Sequence, residues 1–312
     1  MKSKLYAWGR TAALGLALIL LAAGCSPSPP YKRVSLIPQV LETTTPTSAA
    51  EAPALRVAVA AILSPQSTSH GYAPLIAYLA DRLGQPVEMV QRGTYAETNE
   101  LLRTRQVDLA FVCTGAYIQG RRDFGMELLA LPEVRGETAY HSYIIVPVGS
   151  PARRLEDLRG HVFAFTDPMS LSGYLIPLHL LKSSRESPDT FFSRTLFTYS
   201  HENSIRAVAE GWVDGAAVDS LVYDAMQAQG PLDGKGARLI WRSDPYGMPP
   251  VVVHPDLDAG TKELLRRLLL RMDRDPEGRE VLDLMGVDRF VLADERLYDS
   301  ARAVLDAVGG LE

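Results

Sequence analysis

From Leu55 onward, short apolar runs alternate with segments whose apolar residues recur at helical spacing, and this alternation constrains the fold more than any other feature. Leu55-Arg56-Val57-Ala58-Val59-Ala60 reads as a strand, residues 64–71 as a loop, and Pro74 to Gly84 as a helix with proline near its start and glycine at its end. Pro86 to Val90 is a second strand, Glu97 to Arg105 a second helix, and Asp108 to Val112 a third strand. Strands that alternate with helices imply parallel βαβ units. Tyr143 to Val148 closes this series, and a second α/β pattern starts after Gly149-Ser150-Pro151. It holds strands at Phe163 to Phe165, Gly215 to Val218 and Arg238 to Trp241, with a helix from Asn203 to Gly211. Pro249-Pro250-Val251-Val252-Val253 is expected to return to the first lobe, followed by amphipathic helices at Leu264 to Met272 and Ala301 to Val308. The expected plan is α/β: a first lobe from residues 54–148, a second from 149–246, and a return over 247–312. Two crossovers, near residues 146–151 and 243–250, join the lobes and leave a cleft of the kind that binds small ligands at the carboxyl ends of parallel strands.

One segment of the second lobe stands out. Phe163-Ala164-Phe165-Thr166-Asp167-Pro168-Met169-Ser170-Leu171-Ser172-Gly173-Tyr174 reads as a buried strand, a tight turn and the start of a helix. A helix N-terminus offers unpaired N–H groups and a positive dipole end, so hydroxyls placed there can hold an anion. The plainer reading makes Ser170 or Ser172 only a helix cap.

The N-terminus places the rest of the chain. Lys2, Lys4 and Arg10 precede an apolar run from Ala12 to Ala23, which ends in Leu21-Ala22-Ala23-Gly24-Cys25. That is an export signal rather than a membrane span. Its ending resembles the lipobox of bacterial lipoproteins, which implies lipidation of Cys25 after removal of the segment before it. Residues 26–53, rich in Ser, Thr and Pro, read as a disordered tether. The remainder is expected in the cell envelope outside the cytoplasmic membrane, lipid-anchored, in the periplasm or at the cell surface. The second cysteine, Cys113, falls in an apolar run and reads as a small buried hydrophobe, and no metal-ligand spacing or cofactor motif is found. The 312 residues carry a net charge of -5, which argues against nucleic acid as a partner. Any bound anion must then be captured by local dipoles and hydroxyls.

Several segments, taken in order, resemble one family. They are Pro74-Leu75-Ile76-Ala77-Tyr78-Leu79, Val107-Asp108-Leu109-Ala110-Phe111, Asp167-Pro168-Met169-Ser170-Leu171-Ser172-Gly173-Tyr174, Ser200-His201-Glu202-Asn203 and Ala207 to Asp214, together with the 243–250 turn. The family is that of the phosphonate, phosphite and phosphate substrate-binding proteins of ABC transporters. The resemblance implies a type II periplasmic binding protein fold with two Rossmann-like lobes. It implies a monomer that captures a small phosphorus oxyanion and docks on a membrane permease. It also implies that Ser170 and Ser172, with backbone N–H groups of Leu171 and Gly173, hold the oxyanion. Leu171 stands where the family has threonine. His201 matches the family's site histidine, and Tyr95 and Tyr140 match aromatic residues that line the cleft. Leu221 and Gly247-Met248 fall where some members carry acids that hold an amino-phosphonate, which points to phosphate, phosphite or a phosphonate with an uncharged tail. Beside the resemblance, Thr114, followed by Gly115, and Asp219 at a strand end are further candidate ligands. Tyr174 reads as packing.

A solute receptor needs no catalytic group, and the chain is expected not to be an enzyme. An alternative hydrolase would draw on Ser172, His201 and Asp219, but the nucleophile-elbow pattern is missing. A sensory lipoprotein of the same fold, reporting ligand to a partner receptor, is the other alternative.

Overall fold

The structure, a computed structural model, describes residues 54–230, 236–292 and 294–310. The expected export signal, Cys25 and the tether lie outside the described residues. β1 (Leu55–Val59), α1 (Pro65–Leu83), β2 (Val87–Gln91), α2 (Tyr95–Arg103) and β3 (Leu109–Phe111) form the alternating series. β1 lies between β2 and β3 and runs parallel to both. α3 (Thr114–Phe124) and β4 (Glu127–Glu133) follow, and the chain leaves the first sheet through β5 (Ala139–Tyr140).

The second lobe holds β6 (Ser142–Pro147), β7 (Val162–Phe165), a π-helical turn at Leu171–Leu175, α4 (Ile176–Ser183), α5 (Pro188–Phe191) and β8 (Arg194–Phe197). α6 (His201–Ala209), β9 (Gly215–Asp219), α7 (Ser220–Ala228) and β10 (Ala237–Arg242) complete it. The chain returns through β11 (Tyr246–Gly247) to β12 (Val251–Val253), α8 (Ala259–Leu269), α9 (Pro276–Met285), β13 (Arg289–Val291) and α10 (Asp299–Val308).

The first sheet has six strands in the order β13-β4-β12-β3-β1-β2, the second five in the order β10-β6-β9-β7-β8. The two crossovers pair with each other, Tyr246 opposite Tyr140 and Gly247 opposite Ala139. The lobes are therefore joined by a two-stranded ribbon, and both chain passages must bend together.

Three local readings change. Residues 65–71 are the first turns of α1, not a loop. Ser64 caps that helix by accepting from Ser67 N at 3.3 Å, and Pro65 sits where a missing N–H costs nothing. Pro74 therefore lies inside the helix. β6 belongs to the second sheet, where it pairs with β9 and β10, although residues 142–147 read as the last strand of the first lobe. Its continuous apolar run is that of a central strand covered on both faces. The crossover accordingly falls at Ala139–Tyr140, several residues before the expected bend. β12, by contrast, does return to the first sheet, antiparallel to β3.

α10 ties the two lobes from outside. Ala301, Val304, Leu305 and Val308 join an apolar cluster that includes Tyr117 of α3 and Leu171 and Leu175 of the second lobe. Its carboxyl end accepts a hydrogen bond from Lys182 Nζ, while Asp306 pairs with Arg122 of α3 at 2.6 Å.

Candidate functional site

The segment singled out in the sequence folds as read: strand β7, an Asp-Pro turn, then a helical start at Ser170. Asp167 organises the turn. Its Oδ1 accepts from Met169 N at 2.8 Å and its carbonyl from Ser170 N at 2.9 Å, an arrangement that Asp favours in turns. Ser170 is the cap; its Oγ accepts from Gly173 N at 3.0 Å and keeps its own proton free to donate. The first turn is π-helical, a geometry that recurs at functional sites. Gly173 is required there, because a Cβ would stand 2.4 Å from Thr166 Oγ1.

Ser172 is placed differently from Ser170. Its carbonyl accepts from Ser142 Oγ at 2.6 Å, but its hydroxyl is buried without a hydrogen-bond partner. The Tyr95 and Tyr140 hydroxyls are in the same condition. Tyr95 comes from the first turn of α2, Tyr140 from the crossover and Ser172 from the second lobe. Burial holds the Tyr140 phenol well above its usual pKa, and the nearby Thr114 and Ser172 hydroxyls offset this only in part, neither meeting hydrogen-bond geometry with it. Buried polar atoms are paired in the great majority of cases, so unpaired hydroxyls from both lobes and the crossover point to a polar guest.

His201 lies at the first position of α6, behind the Ser200 cap. Its Nδ1 accepts from Asp219 N at 3.0 Å and lies 3.1 Å from Thr166 Oγ1. The neutral ring therefore carries its proton on Nε2, which lies 3.5 Å from Ser170 Oγ. Burial pushes its pKa down to about 3, so it is a fixed neutral donor at physiological pH. Asp219 caps α7, with Oδ1 accepting from Leu221 N at 2.7 Å and Val222 N at 3.4 Å. Burial pushes its carboxyl up to about 7. Thr114 directs its hydroxyl to Gly247 O at 2.9 Å, which fastens α3 to the returning crossover. The leucine in the place of threonine, Leu171, is fully buried, with its backbone N–H close to the Cys113 thiol. Tyr174 packs edge-on against Phe165 and Phe197, as read.

The lobes meet through hydrogen bonds that the sequence does not announce. Tyr95 N donates to Asp167 Oδ2 at 3.1 Å, His201 N to Ile62 O at 3.0 Å, and Ser64 N to Glu202 Oε2 at 3.2 Å. Asp167 was legible only as a turn residue. Here it also holds the N-terminus of α2 against the second lobe. The N-termini of α2 and α6 take part in these contacts, and Arg206 pairs with Glu202 at 2.9 Å. No Lys or Arg side chain among the described residues hydrogen-bonds to the side chains of Tyr95, Tyr140, Ser170, Ser172 or His201, so positive potential beside them comes from helix ends. Among the described residues, no cluster of side chains suited to a metal ion is found. The hydrolase arrangement does not form: His201 Nδ1 takes a backbone proton from Asp219 instead of donating to its carboxylate, and Nε2 faces Ser170.

The two titrating groups oppose each other. Between about pH 4 and 6.5, Asp219 keeps a proton that the unfolded chain has lost, so its contribution to stability falls as pH rises. His201 stays neutral where the unfolded chain is protonated, so its contribution rises over the same window. Asp219→Asn keeps a capping oxygen and removes one titration. Its urea midpoint is expected to climb more steeply with pH than that of the parent. Parallel profiles would mean that Asp219 is already ionised in the fold.

A family profile described as ABC transporter, phosphonate, periplasmic substrate-binding protein matches residues 57–298. The chain belongs to this family. The phosphonates-binding periplasmic protein of Escherichia coli is 26% identical over 238 residues, covering 75% of this chain and 70% of that protein. The phosphate-import protein PhnD of Mycolicibacterium smegmatis is 29% identical over 262 residues, covering 76% of this chain and 80% of the relative. Among solved structures, a binding protein of a Pseudomonas aeruginosa ABC phosphonate transporter superimposes with a TM-score of 0.76 at 24% identity, covering 82% of this chain and 86% of the other. A Prochlorococcus marinus binding protein in complex with methylphosphonate gives 0.74 at 19% identity, covering 81% and 97%. At these identities the structures establish the fold, the type II periplasmic binding protein fold. Members of the family are extracytoplasmic substrate-binding components of ABC transporters, not enzymes.

Proposed function

We propose that this chain is a lipid-anchored receptor that captures a small phosphorus oxyanion between its lobes and delivers it to a permease. The observation that carries this reading is the set of buried, partnerless hydroxyls of Ser172, Tyr95 and Tyr140. His201 Nε2–H, the Ser170 hydroxyl and the first N–H groups of the π turn complete a set of neutral donors. In a dry cleft, bonds from neutral donors to an oxyanion are strong and need no counter-ion. Asp219, occupied as a helix cap, is an indirect ligand through its hold on His201, and Thr114 acts through the crossover. The tail on phosphorus is small and uncharged: Leu221 and Met248 both pack into the apolar cluster that holds Tyr95 and Tyr140, so an ammonium group would meet no carboxylate from those positions. Cys25 supplies the lipid anchor and residues 26–53 the tether.

Calorimetric titration of the full-length chain with phosphate, phosphite, methylphosphonate, 2-aminoethylphosphonate and sulfate tests the reading. Tight binding of one of the first three is expected, with 2-aminoethylphosphonate and sulfate weaker. No heat with any phosphorus oxyanion, or equal binding of sulfate, would overturn it.

A further inference from the structure

The π turn leaves one carbonyl without a helical partner. Ile176 N, which an α-helix would give to Ser172 O, donates instead to Leu171 O. The next N–H along the turn would come from residue 177, which is proline and has none. Ser172 is fully buried, so its carbonyl needs a donor from within the protein. Ser142 supplies it: its Oγ donates to Ser172 O at 2.6 Å. At the other end of the same peptide, Gly173 N donates to Ser170 Oγ at 3.0 Å. The Ser172–Gly173 peptide is thus held on both sides, which sets the direction of the Cα–Cβ bond that carries the unpaired Ser172 hydroxyl.

Ser142 belongs to the crossover, not to the turn. It is the first residue of β6, two positions after Tyr140 of the ribbon, and is fully buried. Its N–H donates to Ser243 Oγ at 2.9 Å and its carbonyl accepts from Ser243 N at 3.0 Å, so it is bonded into both chain passages at once. Across the sheet it stands opposite Asp219, whose N–H fixes the His201 ring. One buried hydroxyl therefore joins the point where the crossovers enter the second lobe to the peptide that aims Ser172.

We propose that Ser142 is a positioning residue for the oxyanion site: it aims the Ser172 hydroxyl and ties that aim to the crossovers. It acts through Ser172 and not on the ligand. Without the Ser142 hydroxyl, Ser172 O is a buried acceptor with no helical donor to replace it, and the peptide must turn to find one. The Ser172 side chain turns with it. The effect on binding rests on the oxyanion reading; the hold on the peptide does not.

The test titrates four full-length chains, the parent, Ser142→Ala, Ser172→Ala and the double variant, with whichever of phosphate, phosphite and methylphosphonate the parent binds most tightly. Ser142→Ala is expected to lower affinity about tenfold at a temperature where it is fully folded. In the Ser172→Ala background the same change is expected to cost less than about twofold, since no hydroxyl is left to aim. Losses that add would overturn the role, because a residue that only supports the fold weakens both backgrounds alike. The peptide itself can be read by NMR. Ser172–Gly173 is the one Ser-Gly step in the sequence, so carbonyl-13C serine combined with 15N glycine reports it alone. Its carbonyl resonance is expected to move upfield in Ser142→Ala, and an unmoved resonance would overturn the bond. Should Ser142→Ala not fold, Ser142→Cys nearly keeps the volume with a weaker donor. The same shift and a smaller loss are then expected, and parental affinity with an unmoved resonance would sink the proposal. A parent that binds no phosphorus oxyanion overturns the proposed function and this role together, whereas a binding parent with additive losses overturns the role alone.

Discussion

Gly115→Ala is expected to cost about a hundredfold in oxyanion affinity while leaving the thermal stability of the unliganded chain nearly unchanged. A Cβ at Gly115 would stand 2.2 Å from Met169 O and 3.0 Å from Leu171 N. Both are backbone atoms of the opposing lobe, so neither can swing aside as a flexible side-chain end would. Forcing a methyl group into a packed contact costs ~1–3 kcal/mol, and a rigid backbone neighbour puts this site at the upper end. The clash arises only where α3 meets the Asp-Pro turn, so lobe separation relieves it, and the penalty appears in binding, which needs the lobes together. Calorimetric titration and a melting curve on the same variant read the two quantities. Affinity within about threefold of the parent would show that ligand binding does not need this contact.

Ser172→Ala and Tyr140→Phe are expected to move stability and affinity in opposite directions. Each removes a hydroxyl that is buried without a partner in the protein. An unsatisfied buried hydroxyl costs about 1–3 kcal/mol, so the unliganded variants should unfold at equal or higher denaturant concentration. A hydrogen bond to a charged group contributes about 1.5–3 kcal/mol, so oxyanion affinity should fall roughly ten- to a hundredfold in each. Packing residues behave otherwise, since truncation lowers stability and touches affinity only through it. A variant that loses both together, or loses stability with affinity intact, would assign its hydroxyl to the core instead of the ligand.

The helical start at Ser170 was legible because its signals are local: an Asp-Pro turn and serines where a cap is needed, while the need for Gly173 beside Thr166 appears only in the fold. The same holds for the βαβ alternation, which follows from apolar periodicity. Which serine caps was not legible. Both precede the same apolar run, and only the fold shows Ser170 bonded to Gly173 N with Ser172 left free. Asp167 shows the limit in another way: its turn role is written two residues away in Met169, but its bond to Tyr95 N closes a gap of 72 positions. The lobe boundary slipped for a related reason. An apolar strand looks alike whichever sheet it enters, and β6 is assigned only by its pairing with β9 and β10.

By itself, the sequence determined the elements and the chemistry available to them: alternating strands and helices, and a hydroxyl-rich helix start in a chain with too little positive charge to attract anions broadly. Tertiary structure decided which of those groups stay free. His201 became a neutral Nε2–H donor because Asp219 N reaches its other nitrogen, and Asp219 itself became a cap. Hydrogen-bond capacity belongs to a residue type, but whether it is satisfied depends on neighbours brought from distant parts of the chain. A binding site for an oxyanion is made of donors left unsatisfied by the protein, and that remainder exists only once the lobes have folded and met.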